Sequence, residues 1–560
     1  MKKSIWIKVI LVLLILCSLF VLAACGSEEE AEEENTDAEE AECQHEVEQW
    51  KVIKEATCVD GSEEGECTLC KEKITKTVKA NFDHEYGDWV ITKKGTCQNP
   101  EEKEKKCKTC PDTIKEVAKE NGYHDYVDFV CSQCKIAATK ELQYTLCDVG
   151  KYYILSGIDA IPAPEGEGAS TDINIVIMDA YNDLPVTVIA GDAFASFARI
   201  ADVKSITIPN TVTEIEAGAF KGFTGLESVE VPANVEAIGM GAFEGCSNLT
   251  SITLPFVGAQ NEQLGNTHFG YIFGAADIDT NRTYIPKGLT TVKITAATVI
   301  PEYAFIGCDM ITSVELAKGL KAIGNNAFSG CEGLTSVTIP ESVESIGVMA
   351  FYGCKNIASV SLSDGLKTIG SYSFSNCDKL ASITVPASVE SIGTGAFKSC
   401  DALASVTLTA GGSKAIGESA FEGCVALKAV TFTDGVETIG DKAFAGCVEL
   451  EIVKLSASVK SIGDFAFEGC VKVKDIVITK NVTVIGEGAF ADCVALATVT
   501  FEENAKIAKI EANAFNSCIA LTTIKYNASE DKWNAIDKGT DWDKSTGSYK
   551  LEFPKVEEAE

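Results

Sequence analysis

The sequence predicts a β-rich solenoid of about fourteen rungs, preceded by small modules that carry cysteine and histidine. Three observations lead there. Phenylalanines preceded by Ala or Ser fall at 194, 220, 243, 305, 328, 351, 374, 397, 421, 444, 467, 490 and 515, and most neighbours are 23 residues apart. Around each returns a phrase of the form A-F-x-G-C-x-x-L-x-S-V-x-I-P. Within the phrase, apolar residues alternate with hydroxyl-bearing ones, as in "LTSVTIP" at 334–340. A fixed period of this length describes units that bury their apolar faces against one another.

The chain opens with Lys2, Lys3 and Lys8 around an apolar run that ends in small residues. That order reads as an export signal over residues 1–24 rather than a structural helix. Its end, "LAAC" at Leu22 to Cys25, resembles the lipobox of bacterial lipoproteins. The resemblance implies that Cys25 is diacylated and becomes the first mature residue. The alternative is an uncleaved anchor helix, and both place the remainder outside the cytoplasm. Residues 25–42 are expected to form a solvated tether. Ten acids stand among the sixteen residues 27–42. Their charges repel and no apolar face is available to bury. The whole chain of 560 residues carries a formal charge of -34. Nucleic acid is therefore excluded as a partner, because phosphate contacts need clustered Lys and Arg.

Residues 43–140 read as repeated zinc-ribbon-like modules. His45 is followed by Cys58, Cys67 and Cys70, and His84 by Cys97, Cys107 and Cys110. His124 opens a shortened third unit with Cys131 and Cys134, and Cys43 precedes them all. A C-x2-C pair puts two thiolates on one tight turn, and a distant Cys and His complete a tetrahedron around zinc. Twelve candidate ligands make three sets of four, so about three structural zinc ions are expected. Each histidine joins either the cysteines after it or those before it, and the spacing leaves both groupings open. Disulfides or reduced thiols are the alternatives; nine cysteines cannot all pair internally, and disulfides leave the recurring histidines unexplained. The modules resemble short Cys/His repeats in surface proteins of Gram-positive bacteria.

The rungs themselves can be read residue by residue. In "LTSVTIP", Leu334, Val337 and Ile339 point inward while Ser336 and Thr338 point outward. Pro340 ends the strand, having no N–H for a ladder. "SVESIG" makes a second extended stretch, with Val343 and Ile346 inward. Gly347 turns the corner, where a Cβ would crowd the bend. "AFYGC" is expected to be a short helical turn that drops Phe351 into the core. A cysteine recurs at 246, 308, 331, 354, 377, 400, 424, 447, 470, 493 and 518. These should form a buried packing column, because parallel Cβ vectors hold stacked sulfurs too far apart for a bridge. Lys321, Glu344, Lys367, Glu390, Lys414, Glu437 and Lys460 alternate in sign two places before each corner isoleucine. The order relieves repulsion between neighbouring rungs.

Hydroxyls form two outward columns. Ser313, Ser336, Ser359, Ser382 and Ser405 make one; Thr338, Ser361, Thr384 and Thr407 make the next. On so acidic a chain this nearly uncharged ladder is the weakly marked candidate for a ligand face. The plain alternative is a set of solvated strand residues. Residues 141–190 read as the starting cap, 191–526 as the repeats and 527–560 as the closing cap and tail. An irregular insert at 256–300 contains Phe269, Tyr271 and Phe273, whose alternation makes one side aromatic and completes a rung around Phe273. His268 reads as a packed or solvated side chain rather than a catalyst.

The recurring phrase, with "THFGYIFGA" and the "W-N-A-I" ending, resembles the BspA-like (Treponema-type) leucine-rich repeat over residues 143–545. That resemblance implies a curved solenoid on the cell surface. Several members of the family are adhesins, so a protein or glycan ligand on a host, a neighbouring cell or the envelope is implied. A lipid-anchored binding protein is the first expectation. The alternatives are an architectural envelope component and, last, an extracellular hydrolase. The chain has no G-x-S-x-G, H-E-x-x-H or Walker-type loop, and so no recognisable catalytic group.

Overall fold

The computed structural model describes residues 137–163, 171–261 and 265–554, and in the earlier part 51–54, 61–66, 73–78, 90–93, 102–106, 108, 113–117, 126–127 and 129–131. The export signal, Cys25 and the acidic stretch lie outside the described residues. The chain divides into two compact units, residues 1–94 with 100–120 and residues 95–99 with 121–560.

The first unit holds two antiparallel three-stranded sheets. Lys51–Lys54, Gly61–Glu66 and Lys73–Val78 form one; Val90–Lys93, Glu102–Lys106 and Thr113–Val117 form the other. The second sheet repeats the first at an offset of about forty residues, the period of the Cys/His pattern. A hairpin of Tyr126–Val127 and Val130–Cys131 begins the second unit.

The rest of the second unit is the solenoid. Its main side is a stack of sixteen short strands, from Ile173–Val176 to Lys550–Glu552, among the described residues. Neighbours run parallel and in register, as in Val337↔Val360 and Ile383↔Val406. Sixteen exceeds the fourteen expected because each cap adds a strand. Ile173–Val176 pairs with Val203–Thr207, and Thr523–Tyr526 pairs with Lys550–Glu552. A second side stacks the corner isoleucines, Ile300, Ile323, Ile346, Ile369 and Ile392, then Ile416, Ile439, Ile462, Ile485 and Ile510. The corner glycines are demanded by contact: a Cβ at Gly370 would lie 2.5 Å from the carbonyl carbon of Gly347 in the rung before.

The third side departs from expectation. "AFYGC" is not a helical turn but a run of tight turns. Met349 (φ 54°) and Gly353 (φ 68°) bracket Phe351 in the left-handed region. That reversal swings alternate amides out of the rung. Met349, Phe351 and Gly353 donate N–H to the carbonyls of Ser371, Ser373 and Ser375 at 2.9, 2.7 and 2.9 Å. The intervening amides of Ala350 and Tyr352 close turns onto Gly347 and Met349 at 3.4 and 3.1 Å. A helix would turn every interior N–H back on its own segment and leave the rungs unlinked on this side.

Phe351 and its equivalents form one pile. From Phe305 to Phe515 the ring centroids of successive rungs are 5.0–5.4 Å apart and the planes lie within 4–10°. The insert keeps the pile continuous with two rings. Phe269–Phe273 is a short 3-10 helix, not an alternating strand, and both end residues are buried. Phe273 meets Phe243 at 6.4 Å, and Phe269 meets Phe305 at 4.9 Å. His268 is packed inside with Nε2 3.1 Å from the carbonyl of Ala275. Buried Asn281 fills the polar gap of the irregular rung: its Oδ1 accepts the Gly270 N–H and its Nδ2 donates to the carbonyl of Ile306 at 3.2 Å. Leu142–Leu146 lies antiparallel on Tyr153–Ile158 at the start. At the finish, Trp533 covers Phe501 and Tyr526, and Trp542 meets Phe515 edge-on at 6.1 Å. Among the described residues no helix is long and apolar enough to cross a membrane.

Candidate functional site

The two hydroxyl columns come together as the sequence predicts. Ser336 pairs with Ser359 and Thr338 with Ser361; Ser382 pairs with Ser405 and Thr384 with Thr407. The two blocks are joined by a longer bond, Ala381 N–H to the Ala358 carbonyl at 3.4 Å. Ser313 begins the first column one rung earlier. All nine side chains are exposed. The adjoining column holds Thr335, Ala358, Ala381 and Ala404, so three columns over four rungs carry no charge.

These strand-face hydroxyls differ from those at the turns that follow the strands. Ser342 donates to the Lys318 carbonyl at 2.6 Å, Ser363 to Pro340 at 3.0 Å and Thr479 to Ser456 at 3.0 Å. Such bonds tie one rung to the rung before. Among the described residues, none of the nine face hydroxyls has a protein partner. Each keeps one donor and two acceptor positions free for whatever approaches.

The cysteine column is inert by construction. Its eleven thiols are free and buried. Ten of them donate Sγ–H to a phenylalanine carbonyl of the preceding rung. Cys331 bonds Phe305 at 3.0 Å, Cys354 bonds Phe328 at 3.1 Å and Cys377 bonds Phe351 at 3.4 Å. Cys308 follows the insert and meets Asn281 Nδ2 at 3.7 Å instead. Burial pushes the Cys246, Cys424 and Cys518 thiols up to about 12 and raises those of Cys331, Cys354, Cys377 and Cys400 well above the ordinary thiol value. A protonated, enclosed thiol is neither a nucleophile nor a metal ligand. The sequence anticipates the slot; the bond from thiol to carbonyl adds a second reason for cysteine there.

The alternating charges pair in part. Lys367 reaches Glu344 at 2.9 Å, Lys321 reaches it at 3.9 Å and Lys460 reaches Glu437 at 2.6 Å. Glu390 and Lys414 make no close pair among the described residues, and the step between them carries one extra residue. The hydrogen bond and charge of Lys367 hold the Glu344 carboxyl below its usual range.

Of the candidate metal ligands, only the backbone of Cys131 is described. Cys43, His45, Cys58, Cys67, Cys70, His84, Cys97, Cys107, Cys110, His124 and Cys134 lie outside the described residues. Among the described residues no group of three or more His, Cys, Asp or Glu is arranged to hold a metal. Sequence reasoning passed over Cys147, which belongs to neither the metal set nor the column. Its sulfur accepts the N–H groups of Lys151 and Tyr152 at 3.3 and 3.4 Å.

A family model described as BspA type leucine rich repeat region, in six copies, matches residues 187–293, 298–414 and 414–535, more than half of the chain. The chain belongs to the BspA-type leucine-rich repeat family. Solved structures similar to this BspA-type protein include bacterial repeat proteins. A leucine-rich repeat protein from Bacteroides ovatus is 26% identical, covers 75% of this chain and 99% of its own, and gives a TM-score of 0.45. A leucine rich cell surface protein from Faecalibacterium prausnitzii is 24% identical over 71% of this chain and 97% of its own, with a TM-score of 0.27. The pneumococcal vaccine antigen PcpA is 19% identical over 75% and 99%, also at 0.27. No curated protein matches the chain. The family is one of repeat proteins, and no enzymatic family is indicated.

Proposed function

We propose that this BspA-type repeat protein works on the outer face of the cell membrane and binds a protein or glycan through the exposed face of its main ladder. The observation that carries the reading is the uncharged patch with nine unpartnered hydroxyls on a chain of net charge -34. Hydroxyls at the turns, by contrast, are used for the stack's own bonding. Long repeat stacks offer extended surfaces on which many weak contacts add up. The test is capture: the chain is immobilised and probed with host matrix proteins and with envelope glycans. Capture that Ser359→Lys or Thr384→Lys abolishes supports the reading. Capture of nothing leaves an architectural envelope component in its place.

The anchor belongs to the same proposal. A diacylated Cys25 followed by the acidic residues 27–42 would hold the folded parts away from an anionic envelope. Globomycin, which blocks lipoprotein signal cleavage, should leave the precursor uncut; normal processing removes Cys25 from the account. Three structural zinc ions would stiffen residues 43–140 into a spacer, since four protein ligands leave no open position for chemistry. Elemental analysis of the purified chain should give about three zinc per molecule. A count near zero ends the zinc reading and leaves the solenoid's role untouched.

A further inference from the structure

We infer that the occupant of the hydroxyl face is a neutral linear glycan lying along the stack, one sugar to a rung. The inference rests on the binding reading above and narrows it to one ligand chemistry. Charge selects first. Over the rungs of Ser336, Ser359, Ser382 and Ser405 the three exposed columns hold only Ser, Thr and Ala. The patch ends at Glu315 on one side and at Lys428 on the other, both exposed. An anionic ligand meets the field of an acidic chain and finds no cation on this face. A cationic ligand finds no carboxylate within the patch. A neutral polar ligand meets neither difficulty.

Hydrogen-bonding capacity selects next. The nine hydroxyls have no protein partner and each is both donor and acceptor. Sugar hydroxyls have the same dual character, so either side can donate wherever the geometry requires it.

Spacing makes the third selection. The pairs Ser336/Thr338, Ser359/Ser361, Ser382/Thr384 and Ser405/Thr407 repeat along the stack at one strand spacing, about 5 Å. The phenylalanine pile beneath these rungs repeats at 5.1–5.4 Å. An extended β-1,4-linked sugar chain advances by close to one such step per residue, so each sugar meets the same pair of hydroxyls. A peptide strand laid the same way advances about 3.3 Å per residue and falls out of step within two residues. It returns to register only at every third residue, over two rungs, so a protein partner gains less from the repetition than a chain that meets every rung. Single neutral hydrogen bonds contribute little net free energy, so affinity must build with the number of rungs engaged.

The experiment is a calorimetric titration of the full chain with two series of oligosaccharides, β-1,4-linked glucose and β-1,4-linked N-acetylglucosamine, from two to six sugars. In at least one series affinity should rise about threefold or more per added sugar and level off near four, one sugar for each uncharged rung. Ser359→Lys and Thr384→Lys, each interrupting the run, should level the series at two. Val477→Lys, exposed and off the patch, should leave it unchanged. Affinity independent of length, or no binding of either hexasaccharide, overturns the inference. Should the sugars fail while a protein is captured and lost on Thr384→Lys, the glycan falls and the binding face stands. Should both fail, the binding reading falls with it.

Discussion

Two halves of the solenoid share an interior and differ outside. Rungs built on Phe328, Phe351, Phe374 and Phe397 bury the same phenylalanine, cysteine and isoleucine columns as those built on Phe421, Phe444, Phe467 and Phe490. Outside, the residue after the column cysteine is Glu332, Lys355, Asp378 or Asp401 in the first half. In the second it is Val425, Val448, Val471 or Val494. The main ladder follows suit. Hydroxyls in the first half give way to Ile452, Lys454, Asp475 and Val477 in two rungs of the second, where Ile452 and Val477 are nearly half exposed, while Thr431, Thr498 and Thr500 keep hydroxyls in the others. Inner positions must meet copies of themselves one rung away, so few residue types are allowed. Outer positions meet solvent and are free to diverge. The lesson is that binding chemistry in this fold is to be sought in the outer columns, where the two halves differ, and not in the interior they share.

The comparison can be tested in order of expected effect. The thiol column runs through both halves, so the largest effect is alkaline. Folded thiols stay protonated above their usual value of 9.0, whereas unfolded ones release the proton. The unfolded chain then binds fewer protons, so stability falls as pH rises through 9, by about 1.4 kcal/mol per pH unit for each buried thiol. Urea melts from pH 8 to 10.5 should move steeply to lower denaturant, and a flat profile would contradict the enclosed column. Phe374→Ala and Phe444→Ala come next. Each removes one ring from the pile and should cost about 3–5 kcal/mol. Similar losses confirm equal interiors; a loss confined to one half breaks the comparison.

Lys367→Glu is smaller. It sets an acid between Glu344 and Glu390, removes the 2.9 Å pair and should lower the melting temperature slightly. The loss should shrink in high salt, since the groups are exposed. In the native chain Glu344 is held below its usual range, so this pair's contribution is present at neutral pH and lost as pH falls through the carboxylate range. Val448→Asp is the smallest. The side chain is more than a third exposed, and its loss should change stability by no more than about 0.5 kcal/mol. A larger cost, seen in the same melts, would mean that this outer column is packed after all.

Much of this was legible because a repeat names its own neighbours. Val337 meets Val360 and Ile346 meets Ile369 simply because 23 residues separate them. The hydroxyl face and the thiol column follow from the same arithmetic. The turn side was not legible. Tyr303, Asn326, Met349, Tyr372, Ser419, Lys442 and Phe465 all sit in the left-handed region. Most of these types avoid it, and glycine marks the same place only in the rungs of Gly218, Gly241, Gly395 and Gly488. Each is held there by an N–H bond to the next rung, such as Tyr372 to the Thr394 carbonyl at 2.8 Å. That bond exists only once the neighbouring rung is in position. The insert was misread for a related reason. Phe269, Tyr271 and Phe273 alternate on paper, but a 3-10 helix lets Phe269 and Phe273 bridge Phe243 and Phe305.

Sequence alone determined the period, the inward columns and the uncharged outer patch, since each follows from residue type recurring at a constant interval. Tertiary structure decided the backbone path between the columns, the strands that the caps contribute, and which hydroxyls stay unpartnered. Those depend on hydrogen bonds between rungs, whose donors and acceptors are main-chain groups that every residue carries alike.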